Sequence, residues 1–525
     1  MKKLWKSLAL ATSASALLFS LSACGSNGNK SSGDEKDGKS VTILTEDHSD
    51  VRPKSKDLWM WKEYEKMSGV KVDWTEVKDF GEKKNLLLSK KELPDAFYQT
   101  IWTNDEVVKY GTQGIFQPLE KLIPKYAPNL NKIMKKYPDV KKAMTTPDGH
   151  IYSLPYLSMD PMSGGRTFRL YINQKWLDKL GLEVPKTTEE LKEVLTQFVT
   201  KDPNGNGKAD EQGWYMNSGE LPNSFEKIID AAYGLDTAGR TAIDNMIYLD
   251  NDKLQLTVNS DKMKDVWKYE NDLYSNKLIF KQAFAGVDSD KWVADASKDV
   301  VGLWSWVSPE MIGEAVRDNY TPINIIEGPN GDKGLVSQPP IMGTSAFMIT
   351  KDAKDPKELL KWVDYFYSEE GSEFGFLGKE GVTYHVVDGK KVYVDKILNY
   401  DKGAQLGSYQ YMNNVYAGFF PYLELPQKTK EEAWGEKPIE YTDFTDADVP
   451  KQLLPDFMST PEESSEISTI MTDMRNYVEQ ARVKFVTGKW NFTTDWDNYV
   501  TQLNKIGADR LLKIRRTQYA RYQKN

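Results

Sequence analysis

Apolar and polar residues follow two rhythms along most of this chain. Residues 41–45, VTILT, form a short β-branched run that predicts a strand with a polar exit. Apolar positions then recur near Leu58, Trp61, Tyr64 and Met67 at helical spacing, and Gly69 closes that helix. Residues 70–77, VKVDWTEV, alternate and predict a second strand. A Lys/Leu-rich helix leads to a third, 93–100, LPDAFYQT. This β-α-β-α-β order implies a mostly parallel sheet with covering helices. Ligands of such sheets sit beyond the carboxyl ends of the strands, which makes Thr45–His48 and Gln99–Trp102 a candidate site.

Further on, 147–156 predicts a hairpin and a crossing strand, and 166–182 a strand and a helix that stops at Gly181. Thr187 or Thr188 can cap the next helix, with Glu189 and Glu190 in its first turn where the helix dipole favours acids. Strands are predicted over 300–307, 321–329 and 341–350, and the chain is helical from about Ser464 to its end. Trp176, Trp267 and Trp362 lie at helical spacing with other apolar residues and are expected in the core. Two α/β regions, each revisited by the chain, imply two lobes joined by more than one connection. The expected division is 41–155 with 325–378 in the first lobe, and 160–320 with 382–525 in the second.

The N-terminus changes the cellular picture. Lys2, Lys3 and Lys6 precede an apolar run over 8–23, too short and too rich in small residues for a comfortable membrane span. It ends Leu21-Ser22-Ala23-Cys24, which resembles the bacterial lipobox, and Cys24 is the one cysteine of the chain. Residues 1–23 are thus expected to be a lipoprotein signal peptide. Residues 24–40 would be a lipid-anchored flexible tether, since 25–40 hold no apolar residue. The expected location is the extracytoplasmic face of the cell membrane, anchored rather than threaded.

Composition excludes several classes. With 69 Lys+Arg against 77 Asp+Glu the net charge is −8, and no basic stripe suits nucleic acid. One cysteine excludes a disulfide framework and a multi-cysteine zinc site. The three histidines, His48, His150 and His385, are far apart in sequence, and no HExxH, GxSxG or Walker A motif occurs. Acids are plentiful, so a hydrolase or lyase with paired carboxylates stays open beside a binding protein for a polar solute.

One loop carries metal chemistry. In Asp202-Pro203-Asn204-Gly205-Asn206-Gly207-Lys208-Ala209-Asp210, oxygen donors alternate at Asp202, Asn204 and Asn206. Gly207 provides the sharp turn, Lys208 a backbone carbonyl, and Asp210 the ninth position. Hard oxygen ligands at this spacing suit a structural Ca²⁺. The twelfth position is Gly213, so this is not a complete EF-hand. A plain turn held by Asx hydrogen bonds is the alternative.

Four stretches together resemble the large lipoprotein branch of extracellular solute-binding proteins, family 1. They are 169–191 (RLYINQKWLDKLGLEVPKTTEEL), 202–211, 361–384 and 485–522. The resemblance implies a two-lobed periplasmic-binding-protein-like α/β fold (type II-like) with a multi-segment hinge and a helical C-terminal extension. It implies no catalysis, a carbohydrate ligand between the lobes, ABC importer permease subunits as partners, and a monomer. Alginate-binding relatives close a similar calcium loop with an acid after the ninth position, which Glu211 matches. Gly302-Leu303-Trp304-Ser305-Trp306 resembles a Gly-x-Trp-x-Trp strand end in maltose-binding relatives, so Trp304 and Trp306 are expected near sugar. Loop position adds Glu46, Asp47, Gln99, Trp102, Trp214, Asn217 and Tyr384, and Arg166 could meet an acidic sugar.

Overall fold

The computed structural model describes residues 39–89, 92–160, 169–215, 224–235, 241–284, 289–306, 312–323, 325–334, 338–414, 420–436 and 453–525. Along the chain the strands are β1 (Lys39–Glu46), β2 (Val70–Val77), β3 (Ala96–Tyr98), β4 (Leu154–Leu157), β5 (Arg169–Asn173), β6 (Gln212–Trp214), β7 (Ile247–Asp250), β8 (Lys253–Leu256), β9 (Val301–Trp306), β10 (Tyr320–Ile323), β11 (Ile341–Ile349), β12 (Tyr384–Val387) and β13 (Lys390–Tyr393). Two mixed sheets organise them, one per lobe: β2-β1-β3-β11-β4 and β10-β5-β9-β6. β7-β8 and β12-β13 are separate hairpins.

The first sheet begins as the alternation predicts. β1 pairs in parallel with β2 from Lys39↔Val70 to Glu46↔Val77, and with β3 through Ile43↔Ala96. The helix Trp59–Ser68 buries Met60, Trp61 and Tyr64 and ends at Gly69, whose φ of +69° suits a residue without Cβ. Trp61 stacks on Trp362 at 5.6 Å and meets Tyr98 edge-on at 5.4 Å, so helix, sheet and the later helix Pro356–Asp364 share one aromatic core. β11 then enters antiparallel between β3 and β4.

In the second lobe, β9 pairs antiparallel with β5, and β6 pairs in parallel with β9. The helix Thr188–Thr200 opens with a reciprocal capping box between Thr187 and Glu190. Trp176 and Phe198 meet edge-on beneath the sheet. Trp176, Trp267 and Trp362 are all buried, as their spacing predicts.

Packing moves two of the expected divisions. Glu327 N–H donates to the Lys186 carbonyl at 2.7 Å, and Gly334 N–H to the Ile326 carbonyl, so 325–334 belong to the second lobe. Residues 384–414 and 420–425 fold on the first lobe instead. Met60 N–H donates to the Tyr411 carbonyl, Leu157 N–H to the Tyr422 carbonyl, and the Gln410 side chain to the Val51 carbonyl. Local periodicity cannot tell which lobe an element packs on.

The C-terminal helices Pro461–Val486, Trp496–Ile506 and Ala508–Lys524 also differ from a pure second-lobe extension. Arg482 is buried against the second lobe, donating to Glu270 at 2.6 and 2.9 Å and to Glu226. At the other end Ser464 donates to Asp105 of the first lobe at 2.5 Å, and the Lys142 ammonium lies 5.7 Å from the Tyr522 ring centre. Nearby, Asp230 is buried; its desolvation, with Glu226 and Glu270 close, pushes its pKa up to about 8 despite a bond from Ala242 N–H.

Arg482→Met should cost about 3–5 kcal/mol, because it leaves two buried carboxylates without their cation; urea denaturation reads this directly. Asp230 keeps its proton in the fold while the unfolded chain loses it above its ordinary range. Its contribution to stability therefore falls as pH rises from about 4 to 8. Asp230→Asn should gain on the wild type across that window, and a constant difference at every pH would contradict it.

Candidate functional site

The carboxyl ends of β1, β2 and β3 lie along one edge of the first sheet, beside the start of β11 and the end of β4. The pleat puts Thr45 of β1 and Glu76 of β2 side by side in register. After β1, the His48 carbonyl accepts the Val51 and Arg52 N–H groups, and this turn brings Arg52 back over the sheet edge. The Arg52 side chain is fully buried. Its Nη1 donates to the Pro53 carbonyl at 2.7 Å and Glu76 Oε1 at 3.4 Å, and its Nη2 to Ser55 Oγ at 3.2 Å. Glu76 also accepts from Ser55 N–H and Oγ, both at 2.9 Å. Lys54 reaches Asp47 at 2.7 Å and Glu76 at 3.6 Å.

Gln99, just past β3, takes a left-handed φ of +52° and is buried. Its Oε1 accepts from Asn413 Nδ2 at 3.3 Å, which joins a residue of the late segment to the strand ends. Three buried polar atoms here have no protein partner: Thr45 Oγ1, Arg52 Nε and Asn413 Oδ1. Each such group costs about 1–3 kcal/mol while it stays unpaired, which makes this edge the least satisfied polar part of the first sheet. Burial and the Arg52 charge lower the His48 pKa and keep its ring neutral near pH 7. Burial and then Asp79 raise that of Glu46. Asp47 is also desolvated, but hydrogen bonds from Lys54 and Ser49 hold its carboxyl well below the usual range.

Of the residues expected at the site, Glu46, Asp47 and Gln99 lie at this edge. The tryptophans do not. Trp102 is buried among Phe80, Phe97, Tyr110 and Phe116, with its Nε1 donating to Thr100. Trp304 is wholly buried, stacked on Tyr171 at 4.9 Å and edge-on to Trp292 and Tyr320. The helix Ser289–Ala296 delivers Trp292 onto that face, which turns a strand-end ring into core. Trp214 is buried in the second-lobe core, and Tyr384 opens the β12-β13 hairpin against Phe376 and Tyr393. Trp306 is the last residue of β9, paired with Arg169. Cys24, Arg166 and Asn217 lie outside the described residues. Arg52, Glu76 and Asn413 went unrecognised in the sequence.

The loop at 202–211 is a tight Asx-rich turn. Asp202 accepts from Gly205, Asn206 and Gly207 N–H at 3.0–3.1 Å, and Asn206 Oδ1 from Lys208 N–H at 2.8 Å. Asn204 and Asn206 amides donate to Asp210. Lys179 closes the outside, donating to the Pro203 carbonyl at 2.8 Å. Burial, together with Asp202 and Asp210, raises the Glu211 pKa, and Glu211 Oε1 is buried without a partner. Among the described residues no three acid, histidine or cysteine side chains converge as a ready-made metal site. The donor set of the loop, with one orphaned carboxylate oxygen beside two further acids, fits a hard cation in kind.

A two-lobed α/β fold with incompletely paired polar groups at its strand ends belongs to the architecture of solute-binding proteins. The model of the bacterial extracellular solute-binding protein family matches residues 51–373, and the chain belongs to that family. It is 31% identical over 551 aligned positions, covering 97% of each chain, to the fructooligosaccharide ABC transporter substrate-binding protein FusA of Streptococcus pneumoniae. The solved structure of FusA in complex with kestose superposes with a TM-score of 0.67 at 28% identity, covering 93% of this chain and all of that one. An EF-hand mutant of FusA with fructo-nystose gives 0.68 at the same identity and coverage. The polygalacturonan/rhamnogalacturonan-binding protein YtcQ of Bacillus subtilis is 27% identical over 62% of this chain and 63% of its own.

Trp304→Ala should unfold the second lobe at lower urea, by about 3–5 kcal/mol, as expected for a buried ring. An unchanged midpoint would mean that the ring is not core.

Proposed function

We infer that this protein captures a carbohydrate outside the cytoplasm and delivers it to an ABC importer. It is a transport component rather than an enzyme, as is its family. The observation that carries the reading is the set of unpaired polar atoms at the carboxyl ends of β1–β3. Sugar hydroxyls supply the hydrogen bonds such atoms lack, and FusA, a fructooligosaccharide-binding relative, shares nearly the full length. Glu46, Asp47 and Gln99, with Arg52, Glu76 and Asn413, form the first-lobe side of the ligand site. Permease subunits are the protein partners, and the binding protein itself acts as a monomer. Native mass spectrometry of protein purified without added sugar should show an oligosaccharide, and incubation with sugars should leave them intact. Cleaved products would favour the hydrolase reading.

Two finer features complete the proposal. Cys24 carries the lipid, and residues 24–40 tether the lobes to the membrane. Cys24→Ala should then release the protein into detergent-free buffer, since acyl chains anchor by about 0.8 kcal/mol per CH₂. The loop holds Ca²⁺ through Asp202, Asn204, Asn206, the Lys208 carbonyl, Asp210 and Glu211. The ion's chemistry there is structural: it replaces amide hydrogens as the partner of these oxygens and relieves carboxylate repulsion. Chelator should lower the melting temperature and Ca²⁺ should restore it, by linkage to the folded state. The Asp202→Ala, Asp210→Ala double variant should not respond, and an unchanged calcium response would place the ion elsewhere.

A further inference from the structure

We propose that the helices over 121–142 and the C-terminal helix form one basic face that docks on an anionic phospholipid bilayer. The proposal goes beyond sugar capture and takes from the proposed function only the lipid anchor at Cys24.

Charge in this chain is unevenly placed. Residues 121–142 hold seven lysines and one acid, Asp139, and residues 508–525 hold six basic residues and one acid, Asp509. These 40 residues carry a net charge of +11 in a chain of −8, which leaves −19 on the rest. The basic stripe that composition alone excludes is assembled by packing, from two segments some 370 residues apart.

The two segments touch. The helix Pro138–Met144 packs against Ala508–Lys524. Tyr522 joins them, with the Lys142 ammonium 5.7 Å from its ring centre and Asp139 at its hydroxyl. Arg516 donates to the Leu254 carbonyl at 3.1 Å and to the Gln255 side chain at 3.2 Å, which fixes the C-terminal helix and leaves the arginine's charge uncompensated. On the helix Pro128–Lys136, Leu130 and Met134 point inward, and Lys132, Lys135 and Lys136 are exposed. Lys141 is exposed on the next helix, and Lys513, Arg516 and Lys524 on the C-terminal one. Among the described residues none of these seven meets a carboxylate, whereas Arg510 and Arg521 are taken by Glu466 and Glu463. Cations gathered this way repel one another, and an anionic surface relieves that repulsion.

The membrane tether joins the fold beside this face. Asp95 accepts from Thr42 N–H of β1 at 2.7 Å and from Lys354 N–H at 3.0 Å, so Lys354 lies close to Lys39, where the described chain begins. One helical turn further, Lys357 and Lys361 join Lys125 around the Tyr126 ring, at 5.8, 5.9 and 5.3 Å from its centre. Of these three, Lys361 also meets Glu358 at 3.5 Å. From Tyr126 the helices Pro128–Lys136 and Pro138–Met144 lead directly to the C-terminal helix. The fifteen residues 24–38 span at most about 50 Å, so a lipid on Cys24 keeps the face within reach of the bilayer. This proximity favours a bilayer over a soluble polyanion. The acidic remainder of the chain is repelled by the same bilayer and turns the basic face toward it. The carboxyl ends of β1–β3 lie at the other end of β1 from Lys39, which leaves the candidate ligand site open.

The test is sedimentation of the lipid-free chain, residues 25–525, with vesicles. Lys39–Asn525 is one compact unit and holds every residue of the face. At low ionic strength, binding to phosphatidylcholine vesicles containing about one-third phosphatidylglycerol should be about 100-fold tighter than to phosphatidylcholine alone. It should vanish at about 0.5 M salt, where the Debye length is a few Å. The triple variant Lys132→Gln, Lys135→Gln, Lys136→Gln and the double variant Lys513→Gln, Lys524→Gln should each weaken binding about 10-fold. A control triple of exposed lysines elsewhere, Lys277→Gln, Lys402→Gln and Lys428→Gln, should change it less than about 2-fold. All the positions are exposed, so the melting temperature should hold in every variant. Equal binding to the two kinds of vesicle would overturn the proposal. So would a control triple that loses as much as the face variants, or face variants that bind like wild type. Binding to soluble polyphosphate without binding to anionic vesicles would also overturn it, as the mark of a general polyanion site. Sugar binding by the same protein is read separately, and none of these outcomes depends on it.

Discussion

The insertion of β11 between β3 and β4 is the constraint from which the rest of the architecture follows. β3 is three residues long and must be paired on both sides to persist, by β1 on one side and β11 on the other. Asp95 fastens this junction. One carboxylate oxygen accepts from Thr42 N–H and Oγ at 2.7 Å, and the other from Lys354 N–H at 3.0 Å. Strands from the start of the chain are thereby tied to a segment some 250 residues later. Since β11 arrives from the second lobe, the first sheet cannot be finished until the second lobe has been traversed. A hinge of several segments is a consequence of that strand order, not a separate device.

The two buried arginines show how similar groups serve different ends. Arg482 meets two carboxylates with several charge-assisted bonds and has a matched set of partners. It fixes the C-terminal helices to the second lobe. Arg52 is as deeply buried, but it meets one carboxylate, a carbonyl and a hydroxyl, and keeps Nε unpaired. Burial lowers its pKa, and Glu76 offsets only part of that shift. A fully paired ion network rigidifies what it joins; an incompletely paired one carries the cost of its unmade bond.

What the sequence made legible was local. Alternation over 70–77, the stop at Gly69 and the Thr187/Glu190 cap each depend on residues within one turn or one strand, and each is found. Glu46, Asp47 and Gln99 were legible as strand exits. Trp304 and Trp102 were not, because a ring at a strand end is core or cleft according to what covers it. The cover over Trp304, Trp292, comes from a helix whose packing no short-range pattern encodes. Asn413 is 314 residues from its partner Gln99. Arg52 lies in a turn without periodicity. Glu76 did leave a signal: it is an acid on the apolar face of an alternating strand, and such an exception marks either an ion pair or a site.

The C-terminal helices bear on how the lobes can move. A ligand shifts an open–closed equilibrium only through contacts that differ between the two states. The Ser464–Asp105 bond and the Lys142–Tyr522 contact cross from helices fixed on the second lobe to the first lobe without any ligand. If they lay far from the pivot, closure would break them, and the ligand would have to offset their loss. The first joins partly exposed groups and costs little to break; Tyr522 is buried, so the second also carries packed ring surface. The buried Arg482 network, by contrast, lies wholly on the second-lobe side of that crossing. The Arg482 network thus fixes the C-terminal helices to the second lobe, while their hold on the first lobe combines one exposed hydrogen bond with the buried Tyr522 ring.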